Sequence, residues 1–171
     1  MNTQKNLINF ATFIDDIASE AFDELGSGFK EDTYQKALAI SLRKNKVKYL
    51  KELNLEIFFK NESLGIFRID FLIPKQKNKS FNLKEPLIIE CKYDTKLSDR
   101  HRSQLRQYLK SIPLNSTKEL KSIKQGILLN WQKTNVYDET RVAAKTPIQI
   151  ELWSFDKKND MSLLFRNYEL S

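Results

Sequence analysis

A chain of 171 residues, 40% hydrophobic and 11% aromatic, carries enough apolar material for one folded core and is too short for two, which excludes a disordered chain. With one cysteine and one histidine, an intramolecular disulfide, a Cys-rich zinc site and a His-built metal centre are also excluded. The net charge of +7 is clustered: residues 43–51 hold five cations and no acid, residues 75–84 four and no acid, and residues 96–110 five Lys and Arg plus His101 against one acid. Such clusters suit a polyanion, most often nucleic acid, with a lysine-rich solvated surface as the plain alternative.

No apolar run approaches the roughly 20 residues needed to span a bilayer, so no membrane segment is expected. The first 22 residues have acids within their apolar pattern and read as a helix rather than a secretory leader. An intracellular, reducing location fits this set.

In chain order, Phe10, Ile14, Ile17, Ala18, Ala21 and Leu25 recur at helical spacing and predict a helix over 4–25, ended by Gly26-Ser27-Gly28. A second helix is expected over about 30–45, with Tyr34, Ala37, Leu38, Ser41 and Leu42 on its inner face and Glu31 on or beside that face. Strands are expected over 54–60 and 66–73, with the turn at 61–65. In the second strand, Phe67, Ile69, Phe71 and Ile73 form one apolar face; Ile66, Arg68, Asp70 and Leu72 form the other. A long, mobile basic loop over 74–86 leads into the strand Leu87-Ile88-Ile89-Glu90-Cys91-Lys92. A third helix follows over 98–112, striped by Leu105, Tyr108, Leu109 and Ile112. Residues 125–131 and 148–155 read as strands, and 161–170 as the return arm of a hairpin. This order predicts a single mixed α/β domain, an antiparallel meander and then a helical crossover to a further strand. Its core lies at about 10–131, and a β-rich extension covers 132–171. That tail hairpin, with Trp153 and Phe165 expected at the surface, either extends the sheet or offers an interface.

Two strands carry polar residues that a core would not select. Glu90 and Lys92 share one face of their strand, while Leu87, Ile89 and Cys91 share the other. If the Asp70 strand is a neighbour, Asp70 and Glu90 converge and repel unless a cation lies between them. One or two carboxylates, a backbone carbonyl such as that of Cys91, and water make a magnesium-type site. Lys92 beside it suits phosphodiester hydrolysis, as an aid to the nucleophile or as charge neutralisation. The plain alternative is an internal salt bridge.

Asp70 with Glu90-Cys91-Lys92 resembles the motif of the PD-(D/E)XK nuclease superfamily, with Ile69 where the name has proline. Gln104 and Tyr108 resemble the Q-x-x-x-Y helix of RecB-type members, and Gly28, Glu31 and Tyr34 fit the motif of the GxxExxY family. The resemblance spans about residues 10–131. It implies a restriction-endonuclease-like fold: a mixed β-sheet core flanked by helices. It also implies a Mg²⁺-dependent nuclease, Mn²⁺ being an acceptable substitute, acting on DNA and leaving 5′-phosphates. The implied metal ligands are Glu31, Asp70, Glu90 and the Cys91 carbonyl. Lys92, Gln104 and Tyr108 complete the implied catalytic set. Arg68, Lys96, Arg100, His101, Arg102 and Arg106 are the expected nucleic-acid-facing residues. A homodimer, as for a junction resolvase, and a helicase or repair partner are compatible with the family. The rival readings are an inactive nucleic-acid-binding module and a non-catalytic interaction protein on the same fold.

Overall fold

A computed structural model describes residues 1–133 and 147–170; residues 134–146, within the predicted extension, and Ser171 lie outside the described residues. Helix α1 (Gln4–Leu25) starts where the Thr3 hydroxyl accepts from the Asn6 N–H, and ends at Gly26, whose φ of +72° suits a residue without a side chain. Helix α2 (Glu31–Lys44) has acids in its first turn and bases in its last, the arrangement the helix dipole favours. Both helices pack on one face of the sheet. The buried set there includes Phe10, Ile14, Tyr34, Leu38, Phe71, Ile89, Cys91, Leu129 and Trp131. A fully buried Phe or Leu of this kind contributes about 1.5–3 kcal/mol.

The strands are β1 (Leu50–Phe59), β2 (Glu62–Ile73), β3 (Gln76–Lys77), β4 (Asn82–Leu83), β5 (Leu87–Asp94), β6 (Gln125–Gln132), β7 (Ile148–Asp156) and β8 (Asp160–Arg166). Six form one sheet in the order β1-β2-β5-β6-β7-β8. Only β5 and β6 pair in parallel; the other neighbours are antiparallel. The parallel pair is joined by α3 (Asp99–Ser111), which covers the second face through Leu105, Tyr108, Leu109 and Ile112. Gly126 on β6 permits this close approach. A Cβ built there would lie 2.6 Å from Leu105 Cδ1. The mixed α/β sheet flanked by helices is the expected fold class, and β7 and β8 extend the sheet.

Four expectations are corrected. The β1–β2 turn lies at Lys60 and Asn61, both at positive φ, rather than at 61–65; two left-handed residues match the twist of the flanking strands. Residues 74–86 are not one open loop but contain the β3–β4 hairpin. It is turned by Asn78 Oδ1, which accepts from the Ser80 and Phe81 N–H groups, and is pinned by buried Phe81 and Leu83. Trp153 and Phe165 are partly buried against the two cores rather than exposed. Finally, the alternation of β2 breaks at Asp70. Ile69 and Leu72 enter one core, whereas Phe71 and Ile73 enter the other. Opposite this point, between the pairs Lys51↔Phe71 and Leu53↔Ile69, Glu52 sits at φ +58°. The paired distortion re-aims Asp70, a device common beside active sites.

Candidate active site

The site grows from a fork between β2 and β5. Their ladder runs only from Ile73↔Leu87 to Phe71↔Ile89. The next pair in that register would be Asp70 with Glu90, but the strands part there. The β5 N–H groups left over are taken by carboxylates instead. Cys91 N–H donates to Asp70 Oδ2 at 2.8 Å, and Tyr93 N–H donates to Glu31 Oε2 at 3.2 Å. In an extended strand a residue's N–H and C=O leave by the same edge, so the Cys91 carbonyl is directed into the same fork.

Glu31 is brought here by the residues around it. Gly28 N–H donates to the Tyr93 hydroxyl at 2.6 Å, and the Tyr34 hydroxyl donates to the Gly26 carbonyl at 2.7 Å. The Tyr34 ring lies 4.8 Å from that of Tyr93 and 5.5 Å from that of Trp131. Gly28, Glu31 and Tyr34 thus clasp the start of α2 onto the end of β5. That accounts physically for their three-residue spacing.

On the α3 side, Glu90 is 2% exposed. Its Oε1 lies 2.7 Å from Lys92 Nζ, and its Oε2 is buried with no hydrogen-bond partner. Burial and the charge of Asp70 push the Glu90 carboxyl up to about 8, against the pull of Lys92. Burial also raises Asp70, against the Cys91 N–H and Lys92. For Lys92, burial works downward, but Glu90, Asp70 and Glu31 outweigh it and hold the ammonium above its ordinary range. Three carboxylates share one lysine, so the fork has negative charge to spare. Gln104 Nε2 donates to the Tyr108 hydroxyl at 2.8 Å. Tyr108 is buried, and burial and the charge of Glu90 raise its hydroxyl.

Sequence reasoning missed Gln35. It is 7% exposed and reaches Glu31 Oε1 with its Nε2 at 3.4 Å. Its i+4 relation to Glu31 was the available signal.

The expected nucleic-acid-facing residues divide. Lys96, Arg100 and Arg68 are exposed, Arg68 lying 3.9 Å from Glu52. His101 is not at the surface. It is 2% exposed, because the third position of α3 turns inward; its Nδ1 accepts from Ser98 N–H and its Nε2 lies 3.6 Å from Asp94. The guanidinium of Arg102 is held by Glu151 Oε1 and Oε2 at 2.7 and 2.9 Å, and by Asp99. Arg106 grips Asp160 with two hydrogen bonds, at 2.6 and 2.7 Å. Neither side chain is free as the charge clustering suggested. Glu151, fully buried, also accepts from Arg166, Trp153 and Tyr168. Burial would raise it, but these donors hold it down to about 2.

Among the described residues, no three His, Cys, Asp or Glu side chains stand close enough to ligate one ion. The candidate donors at the fork are Asp70, Glu90 and the main-chain carbonyl of Cys91. The orphaned Glu90 Oε2 and the surplus negative charge fit a hard divalent cation completed by water. Among the described residues, no helix is long and apolar enough to cross a membrane.

No curated protein matches the chain, and no solved structure does. A family model of the PD-(D/E)XK nuclease superfamily matches residues 8–142, a stretch that contains Glu31, Asp70, Glu90, Lys92, Gln104 and Tyr108. The chain belongs to the PD-(D/E)XK nuclease superfamily.

Proposed function

We propose that this protein is a divalent-metal-dependent nuclease that hydrolyses phosphodiester bonds of DNA at the β2–β5 fork. Superfamily membership carries the nuclease class and the general use of divalent ions. The observation that supports this site is Asp70 and Glu90 converging from diverging strands, with Lys92 Nζ 2.7 Å from Glu90. Asp70, Glu90 and the Cys91 carbonyl would hold the ion, with Glu31 beside them; Mg²⁺ suits these oxygen donors, and Mn²⁺ would substitute. When bound, the ion supplies positive charge to the phosphate and lowers the pKa of water.

The chain's own groups do the rest. Lys92 is kept as the ammonium by its carboxylate neighbours, so it donates to the attacking water or to a phosphate oxygen and offsets charge in the transition state. Water oxygen bonds to phosphorus and releases a proton to solvent, the bond to the leaving 3′ oxygen breaks, and that oxygen takes up a proton. The 5′-phosphate stays on the other product, as the family resemblance implies. Gln104 positions Tyr108, whose buried ring closes the fork on the α3 side. Gln35 steadies Glu31 from the next turn of α2.

The test is cleavage of end-labelled single-stranded, linear duplex, circular and branched DNA in Mg²⁺, Mn²⁺ or EDTA. Lys92→Ala and Asp70→Ala run beside the wild type after a folding check. Metal-dependent cleavage that falls about 100-fold or more in both variants is expected. DNA binding without cleavage, indifferent to metal, would leave a binding module on the nuclease fold.

A further inference from the structure

The two acid-free basic runs, 43–51 and 75–84, are far apart in sequence and joined in space. Gln76 Oε1 accepts from Lys48 N–H at 2.9 Å, and Gln76 Nε2 donates to the Lys48 carbonyl at 2.8 Å. The loop that carries Lys75, Lys77 and Lys79 is held by buried Phe81, packed edge-on at 4.7 Å against Phe10. These cations are therefore presented on an anchored hairpin.

Their charges are also unspent. None of Lys44, Lys46, Lys48, Lys75, Lys77 and Lys79 forms an ion pair with a described residue, and all are exposed. On α3, by contrast, Arg102 and Arg106 are committed to Glu151 and Asp160. The unpaired edge connects with the fork along α2. Asp32, next to Glu31, is shared by two lysines, Lys36 at 2.6 Å and Lys51 at 3.9 Å. Further along the same helix face Arg43 donates to the Tyr49 hydroxyl at 2.6 Å and forms no ion pair with a described residue. A helix of 14 residues measures about 20 Å, equal to about six steps of a nucleic-acid strand.

We propose that this track, Lys51 and Lys36 to Arg43, Lys46, Lys48 and Lys77, is a second nucleic-acid site. It holds the phosphate backbone of the substrate about 20 Å from the fork, so the protein engages strands that reach from one to the other. A lipid surface fits less well, because Leu50 is the one exposed large hydrophobic residue on these two segments. The identity of the substrate rests on the nuclease reading, but the binding test does not.

The test is fluorescence anisotropy of a labelled 30-base-pair duplex in EDTA, from 50 to 200 mM NaCl. The wild type is compared with Lys46→Ala/Lys48→Ala/Lys77→Ala, folded by circular dichroism, and with Lys96→Ala/Arg100→Ala on the α3 side. Loss of three phosphate contacts lowers the salt exponent by about 2.7, so the salt-induced loss of affinity over that range shrinks by about 40-fold. The α3-side variant is expected to change less. An unchanged salt slope in the triple variant would overturn the proposal. So would unchanged DNA binding together with lost binding to vesicles containing phosphatidylserine. Cleavage by the wild type in Mg²⁺ is scored separately. A changed slope without cleavage supports the track and counts against the nuclease reading.

Discussion

Replacing Glu90 by Gln tests the charge argument at the fork most directly. In the folded chain without metal, the Glu90 carboxyl titrates at about 8 instead of its ordinary 4.5, through burial and the charge of Asp70. A carboxyl with a raised folded value binds a proton that the unfolded chain releases. Its contribution is thus fully present below pH 4.5 and is lost as pH rises to about 8. At about 1.4 kcal/mol per pH unit, the whole window amounts to about 5 kcal/mol. Gln stands in for the protonated carboxyl, and the value of about 8 already includes the attraction of Lys92, so the substitution removes that penalty whole. A net gain of a few kcal/mol, at most about 5, follows at pH 8 without metal. Urea unfolding in EDTA at pH 5, 6.5 and 8 reads it directly. The wild type should weaken as pH rises, the variant should stay nearly flat, and Mg²⁺ should stabilise the wild type alone at pH 8. A pH-independent wild type, or a variant destabilised at pH 8 in EDTA, would refute the reasoning.

Asp70→Asn keeps an acceptor for the Cys91 N–H but removes a charge. Stabilisation by Mg²⁺, about 2.7 kcal/mol at 100 times the dissociation constant, should disappear from its thermal unfolding curve. Glu151 has the opposite sign to Glu90: its donors hold it down to about 2, so its stabilisation is present above 4.5 and is lost as pH falls toward 2. Glu151→Gln should flatten the acid limb of a stability curve while lowering stability by about 3 kcal/mol at neutral pH. Gly126→Ala puts a methyl 2.6 Å from Leu105 Cδ1 and 3.2 Å from Ile88 Cγ1, and should cost about 1–3 kcal/mol in urea unfolding. Pairing it with Leu105→Ala should recover part of that cost; strict additivity would contradict the contact.

The helices were legible because their apolar spacing is unambiguous, and α1 follows the expected range to the residue. The opposed faces of β5 were legible for the same reason: strict alternation sends Glu90 and Lys92 to the α3 side and Ile89 and Cys91 to the other. Asp70 was found by residue type, yet its orientation was not. The break in β2 depends on Glu52 across the ladder, a pairing partner that periodicity within one strand does not contain. Arg102 and Arg106 were misjudged because charge clustering along the chain is blind to the acids that fold against it from β7 and from the β8 end of the hairpin. The amino-acid sequence by itself determined the elements, the chemistry of Asp70, Glu90 and Lys92, and the surplus of positive charge, since these reside in composition and local period. Tertiary structure alone decided which cations remain unpaired, that Gln35 is buried beside Glu31, and that β2 and β5 part between Asp70 and Glu90. Each of these depends on contact between distant segments, and its energy exists only once the sheet has closed.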